Sequence, residues 1–164
     1  MIHFTATHKD GVIAFTNQSS EDIGRLETVN DSKIIFYQAE DKYQFNLSKN
    51  KIEVLKNTEK IDEFERFKNL GSFQSKNSEL SIKGISSWKG GTKIVDRNNN
   101  TLVKLNNKSA WIDKGIYEFK IFTEVEPYQL AMMLHLHIQG SKAKTAIVAA
   151  SIAATVVIVI NIFN

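Results

Sequence analysis

Residues 126–140 read EPYQLAMMLHLHIQG. Pro127 suits the first turn of a helix, where its missing N–H leaves no bond unmade. Gly140 suits a C-terminal stop. Between them Leu130, Ala131, Met133, Leu134, Leu136, His137 and Ile138 put apolar groups almost all round the helix. A helix apolar on every side is normally buried on every side. The spacing predicts a central helix over about 127–139 that the rest of the chain must enclose.

The residues before it read as short strands. Tyr43, Phe45 and Leu47 alternate with polar residues, as do Ile52 and Val54, and Tyr117, Phe119 and Ile121. Alternation of this length marks half-buried strands. Leu80 and Ile82 keep the same phase, which slips at Gly84 and predicts a bulge there. Asn30-Asp31-Ser32, Lys49-Asn50, Gly90-Gly91, Arg97–Asn100 and Asp113-Lys114-Gly115 separate the apolar runs with residues that accept tight-turn backbone. Turns at this spacing predict an antiparallel meander, in a sandwich or a barrel. One stretch departs from the pattern: Ile61, Phe64 and Phe67 fall at helical spacing and predict a short outer helix over about 59–68.

A chain of 164 residues suits one domain. With 42% apolar and 24% charged residues it has the composition of a folded protein. The 21 basic residues are spread among 18 acids, so nucleic acid is not the expected partner. There is no cysteine, which excludes disulfides, thiolate metal sites and a cysteine nucleophile. MIHFTATHKDGVIAF has neither the basic nor the apolar region of a secretory signal. Asn-x-Ser/Thr triplets at Asn17, Asn30, Asn46, Asn99 and Asn107 are accounted for by the abundance of asparagine.

Candidate chemistry is sparse. Asp96, Asn98 and Asn100 match the first three ligand positions of an EF-hand loop. Thr101 then stands where glycine is required and Asn107 where a bidentate glutamate is required, so the stretch reads as a hairpin turn. His135 and His137 are two apart on a helix and point to different faces, which does not suit one metal. No Gly-x-Ser-x-Gly elbow or phosphate loop is present. The expectation is a non-enzymatic chain with no cofactor and no metal.

Residues 145–163 carry no formal charge. Nineteen helical residues span about 28 Å, close to the roughly 30 Å of a bilayer core. Since 127–139 already fills the core-helix role, this segment is expected to be a transmembrane helix, after a short basic linker at 141–144. Lys142 and Lys144 flank its start, which predicts a domain facing the cytoplasm. Ala146, Ala150 and Ala154 form a small-residue stripe suited to close helix contact, and so to a homodimer within the membrane.

The stretch 91–138, GTKIVDRNNNTLVKLNNKSAWIDKGIYEFKIFTEVEPYQLAMMLHLHI, resembles the C-terminal half of the tubby-like superfamily, which includes tubby C-terminal domains, LURP-one-related proteins and phospholipid scramblases. The shared pattern is the hairpin Ile94–Lys104, the strand Tyr117–Ile121, Glu126, and the apolar helix from Tyr128 to Ile138. VIAFTNQSSEDIGRLE at 12–27 reads as a diverged copy of that hairpin. The resemblance covers about 1–140 and implies a closed antiparallel β-barrel around a central apolar helix. Tubby domains bind phosphoinositide headgroups through basic residues, and scramblases are associated with calcium and lipid movement. This chain has no matching basic cluster in sequence, no lipidation cysteines and no complete calcium loop. The combined expectation is a membrane-anchored barrel that binds lipid or a protein partner at the cytoplasmic face. The alternatives are a soluble barrel whose core is the C-terminal helix, taking a small apolar ligand or partner, and an enzyme with an unrecognised site.

Overall fold

The computed structural model describes residues 2–67, 72–85, 90–109 and 114–142. Twelve strands follow one another: β1 (Ile2–Lys9), β2 (Val12–Asn17), β3 (Asp22–Asn30), β4 (Lys33–Gln38), β5 (Asp41–Leu47), β6 (Lys51–Lys56), β7 (Glu59–Arg66), β8 (Phe73–Ser75), β9 (Ser81–Gly84), β10 (Thr92–Val95), β11 (Thr101–Asn107) and β12 (Ile116–Ile121). Each pairs antiparallel with the next, and β12 returns to pair with β1, so the meander closes into a barrel. Closure leaves no strand edge open. The expected sandwich-or-barrel ambiguity is thereby resolved as a barrel.

The helix α1 begins at 127 and continues to 142, the last described residue. Ala131, Met132, Met133 and Leu134 are 0% exposed, and the inward residues of the strands close around them. The enclosed helix is therefore the first of the two apolar segments. Each fully buried Met or Leu contributes about 1.5–3 kcal/mol. An aromatic series ties wall to helix: Phe119–Phe15, Phe15–Phe36, Phe36–Tyr43 and Tyr43–Tyr128 have ring centroids 5.7, 5.2, 6.1 and 5.7 Å apart.

Because the strands alternate, odd-numbered ones run from the end where α1 enters to the end where it leaves. Ile2 at the start of β1, Ile23 in β3, Gln38 at the end of β4 and Pro127 border one cavity and mark the entry end. His137 contacts Thr92 at the start of β10 and Asn107 at the end of β11, which marks the exit end.

Three expectations are corrected. The helix expected over about 59–68 is replaced by strand: Glu59–Arg66 is β7, with Asp62 and Phe64 facing inward opposite Val54 and Ile52, and Lys68 lies outside the described residues. Asp62, a carboxylate on the inner face, hid the strand alternation, and Phe67 is 59% exposed rather than part of an apolar stripe. Gly84 does not make a bulge: it pairs in register with Thr92 and ends β9. Gly140 does not stop the helix, which runs through it to 142, and it lacks the positive φ of a C-cap glycine. The expected transmembrane helix 145–163, with Lys144, Ala146, Ala150 and Ala154, lies outside the described residues. Among the described residues no helix is long and apolar enough to cross a membrane.

The two hairpins that look alike in sequence are alike in geometry. In the β2–β3 turn, Asn17 Oδ1 accepts from the Glu21 N–H at 3.0 Å, and Ser20 has φ 64°. In the β10–β11 turn, Asp96 Oδ1 accepts from the Asn100 N–H at 2.8 Å, and Asn99 has φ 65°. In both, the register slips beside the turn, at Phe15/Thr16 and at Ile94/Val95. The Asp96 carboxylate is thus engaged in its own hairpin turn, as the sequence reading expected for this stretch. Asn100 also holds it below its ordinary pKa by donating from its amide.

Candidate functional site

The outward positions of β9 to β12 carry one lysine each near mid-strand. Every one adjoins inward apolar residues: Ile82, Ile94, Val103 and Leu105, and Phe119 and Ile121 are buried. That phase puts the lysines on the outer face. The register then sets them side by side. Lys83 is opposite Lys93, Lys93 opposite Lys104, Lys104 opposite Lys120, and Lys120 opposite His3 of β1. Lys104 and Lys120 are exposed, while Lys83, Lys93 and His3 are half-buried. Like charges directly opposite one another destabilise a sheet. None of these lysines has an ion pair with a described carboxylate. Glu118, one row away on β12, is an acid of this face. Lys83 reaches Asn99 Oδ1 at 3.2 Å, and Lys104 Nζ lies 5.9 Å from the ring centre of Phe122, which is 45% exposed.

The neighbouring part of the wall, β6 to β8, is built differently. There Lys51, Lys60 and Lys76 converge on the carboxylate of Glu63, with Lys51 at 2.9 Å and Lys76 at 2.7 Å. They hold it far below the usual glutamate range, while Glu63 and Glu65 push the Lys76 ammonium up. Lys56 pairs with Asp41 at 2.8 Å, and Arg97 at the entry end with Glu79 at 3.2 Å.

Charge is also divided along the axis. The exit end presents Lys9, Lys33, Lys49, Arg66, Lys108 and Lys114 beside Asp10 and Asp31. Lys142 is exposed on the last described turn of α1, at this same end. The entry end presents Glu21, Asp22, Glu40, Glu124 and Glu126, together with Lys42 and the paired Lys56 and Arg97.

Buried polar groups join the helix to the wall. Tyr128 donates its hydroxyl to Asp62 Oδ2 at 3.1 Å, and Ser75 donates to the same carboxylate at 2.8 Å. Ser78 donates to Ser75 Oγ, and Gln129 Nε2 donates to Ser78 Oγ. Burial and Asp62 push the Tyr128 phenol up, which keeps it a donor. At the exit end His137 lies between Thr92 Oγ1 (3.0 Å, to Nδ1) and Asn107 Oδ1 (2.6 Å, to Nε2). Its ring sits edge-on to Tyr117. His135 points elsewhere, and burial pushes it down to about 4, with Lys142 adding to the shift. The two histidines do not converge, and no group of three metal-ligating side chains occurs among the described residues.

A cavity of about 260 Å³ opens at the entry end between α1 and strands β1 to β4 and β12. Phe4, Phe15, Ile23, Phe36, Ile121, Val125 and Leu130 line it, with Gln38 and Glu124 as its polar groups.

Of the site residues expected from sequence, Lys142 lies at the basic exit end; Lys144, Ala146, Ala150 and Ala154 are outside the described residues. The lysine row escaped sequence reading because its members come from four strands. Their register cannot be read from any one strand.

No family model matches the chain, and no curated protein does. The fold is similar to an X-ray structure of a protein from Arabidopsis thaliana, at 10% identity and a TM-score of 0.58, over 86% of this chain and 91% of that one. At that identity the likeness concerns the fold alone.

Proposed function

We propose that this chain is a membrane-anchored, non-enzymatic, tubby-like barrel domain that lies on anionic lipid at the cytoplasmic face, with its exit end and lysine face toward the headgroups. The observation that carries the reading is the gathering, on one face and on the end from which α1 leaves, of cations that have no ion pair with a carboxylate among the described residues. A like-charge row that weakens the sheet is retained most readily where an anion neutralises it. Each lysine near an anionic surface contributes about 1 kcal/mol. The buried polar groups support a non-catalytic role, because they bond to one another and hold the helix. Anchoring through 145–163, and pairing through Ala146, Ala150 and Ala154, belong to this reading.

Fractionation tests the anchor. The full-length chain is expected to remain in a carbonate-washed membrane pellet, and its full release into the supernatant would reject the anchor. Crosslinking in membranes is expected to give a dimer, and monomer alone would reject pairing through the alanine stripe.

The entry-end cavity favours a second reading, in which the barrel takes a small apolar ligand. In that case the core is the enclosed helix 127–142 rather than the C-terminal segment.

A further inference from the structure

The entry-end cavity is apolar in its depth and acidic at its mouth. Phe15, Phe36, Ile121 and Leu130 form the interior, while Glu124 is exposed at the edge with Gln38 beside it. Glu21 and Asp22 precede lining residue Ile23, Glu40 follows Gln38 on the β4–β5 turn, and Glu126 precedes Pro127. Lys56 is paired with Asp41, the residue opposite Gln38, at 2.8 Å, and the basic groups next to lining residues on the lining strands are His3 and Lys120. Their positions are adjacent to Ile2 and Ile121, so they alternate to the outer face of the wall. Arg25 is likewise outward, stacked on Tyr37 at 4.8 Å. An anionic head at this mouth meets carboxylates, whereas a cation meets a partner.

We infer that the cavity is a binding site for a small amphiphile with an apolar tail and a cationic head, the tail lying among Phe15, Phe36, Ile121 and Leu130 and the head at Glu124 and Gln38. This deepens the second reading above and rests on it. Size sets the tail. At roughly 30 Å³ per water-sized group, a cavity of about 260 Å³ holds roughly nine heavy atoms, those of an eight-carbon amine. Such an amine is protonated at neutral pH, as lysine is. The mouth opens at the end opposite the basic rim, so a ligand enters from the side turned away from anionic lipid.

The test is methyl-resolved NMR of the full-length chain in zwitterionic nanodiscs, titrated with octylamine or octanoate. The methyls of Ile23, Ile121 and Leu130 report the cavity itself, so partition of either probe into lipid does not mimic binding. Octylamine is expected to shift these methyls and to saturate at about tenfold lower concentration than octanoate, because the head hydrogen bond is charge-assisted. Hexylamine is expected to bind about tenfold more weakly than octylamine, for the loss of two methylenes. Glu124→Gln, at an exposed position, should close most of the gap between the two heads. Ile23→Phe, which fills half-buried space, should weaken both probes. Octanoate saturating as early as octylamine would overturn the cationic head while leaving an apolar site standing. Shifts from neither probe would overturn both the head and the site.

Discussion

The hydroxyl of Tyr128 lies 3.1 Å from Oδ2 of Asp62, so the second residue of the enclosed helix is bonded to the inner face of β7. Asp62 is 1% exposed, and it also accepts from Ser75 Oγ and the N–H groups of Glu63 and Asn77, at 2.8, 2.7 and 3.4 Å. A buried carboxyl group is tolerated in a barrel wall only if its oxygens are satisfied. This one is satisfied in part by the element it helps to place.

Tyr128→Phe should therefore destabilise the barrel by about 1–3 kcal/mol, the range for leaving a buried acceptor short of a donor. Denaturant unfolding measures it. A double-mutant cycle with Asp62→Asn should show coupling, and additive effects would mean that the contact is not used.

Thr92→Val removes the hydroxyl that faces His137 Nδ1 while keeping shape. The expected loss is about 1–2 kcal/mol. The imidazole resonances of His137 should move with it, since Asn107 remains as the partner of Nε2.

Gly24 sits in the register slip of β3, where a Cβ would lie 2.6 Å from the Tyr37 carbonyl oxygen and 2.8 Å from the Phe36 ring. The contact with backbone cannot be relieved by a rotamer change. Gly24→Ala should cost about 2–3 kcal/mol by overpacking, against little for Gly11→Ala beyond its positive φ, because Gly11 has open space.

Acid should act in two windows. Burial lowers His135 to about 4 in the fold, from 6.5 unfolded. Between those values the unfolded chain binds the extra proton, so stability falls as pH drops from 6.5 toward 4. Glu63 is lowered from 4.5 by its lysine partners, so its contribution is present above 4.5 and is lost as pH falls further. His135→Phe should flatten the first window and Glu63→Gln the second. Unfolding midpoints against pH, with NMR titration of His135, give the assignment.

The lysine row should weaken the fold and strengthen adsorption at once. Lys104→Gln is expected to stabilise the barrel by about 0.5 kcal/mol, through relief of repulsion from Lys93 and Lys120. Replacing Lys93, Lys104 and Lys120 together by Gln should weaken adsorption of the headgroup-facing surface to anionic bilayers by roughly 100-fold, at about 1 kcal/mol each. Unfolding curves and salt-dependent binding to phosphatidylserine-rich bilayers separate the two effects.

Local chemistry was legible and long-range register was not. The apolar circumference of 128–138 announced a helix that had to be enclosed, and the Asp96–Asn100 turn announced a hairpin. β7 was misread because Asp62 occupies an inward position that alternation reserves for apolar residues, and its need for a partner shows only once Tyr128 and Ser75 are in place. Lys83, Lys93, Lys104 and Lys120 each stand next to buried apolar residues in sequence, but only barrel pairing makes them neighbours. Gly140 carried a stop signal that the helix overrides, since with no left-handed backbone it is simply another helical residue.

The orientation on the membrane is the central claim, and paramagnetic broadening tests it most directly. The full-length chain in phosphatidylserine-rich nanodiscs doped with a gadolinium-chelating lipid should lose amide signal at Lys33, Lys49 and Lys108 of the exit end and at Lys93 of the basic face. Signals at Glu40 and Thr58 of the entry end should persist. Equal broadening at both ends, loss at the entry end first, or no broadening at either end would contradict the account.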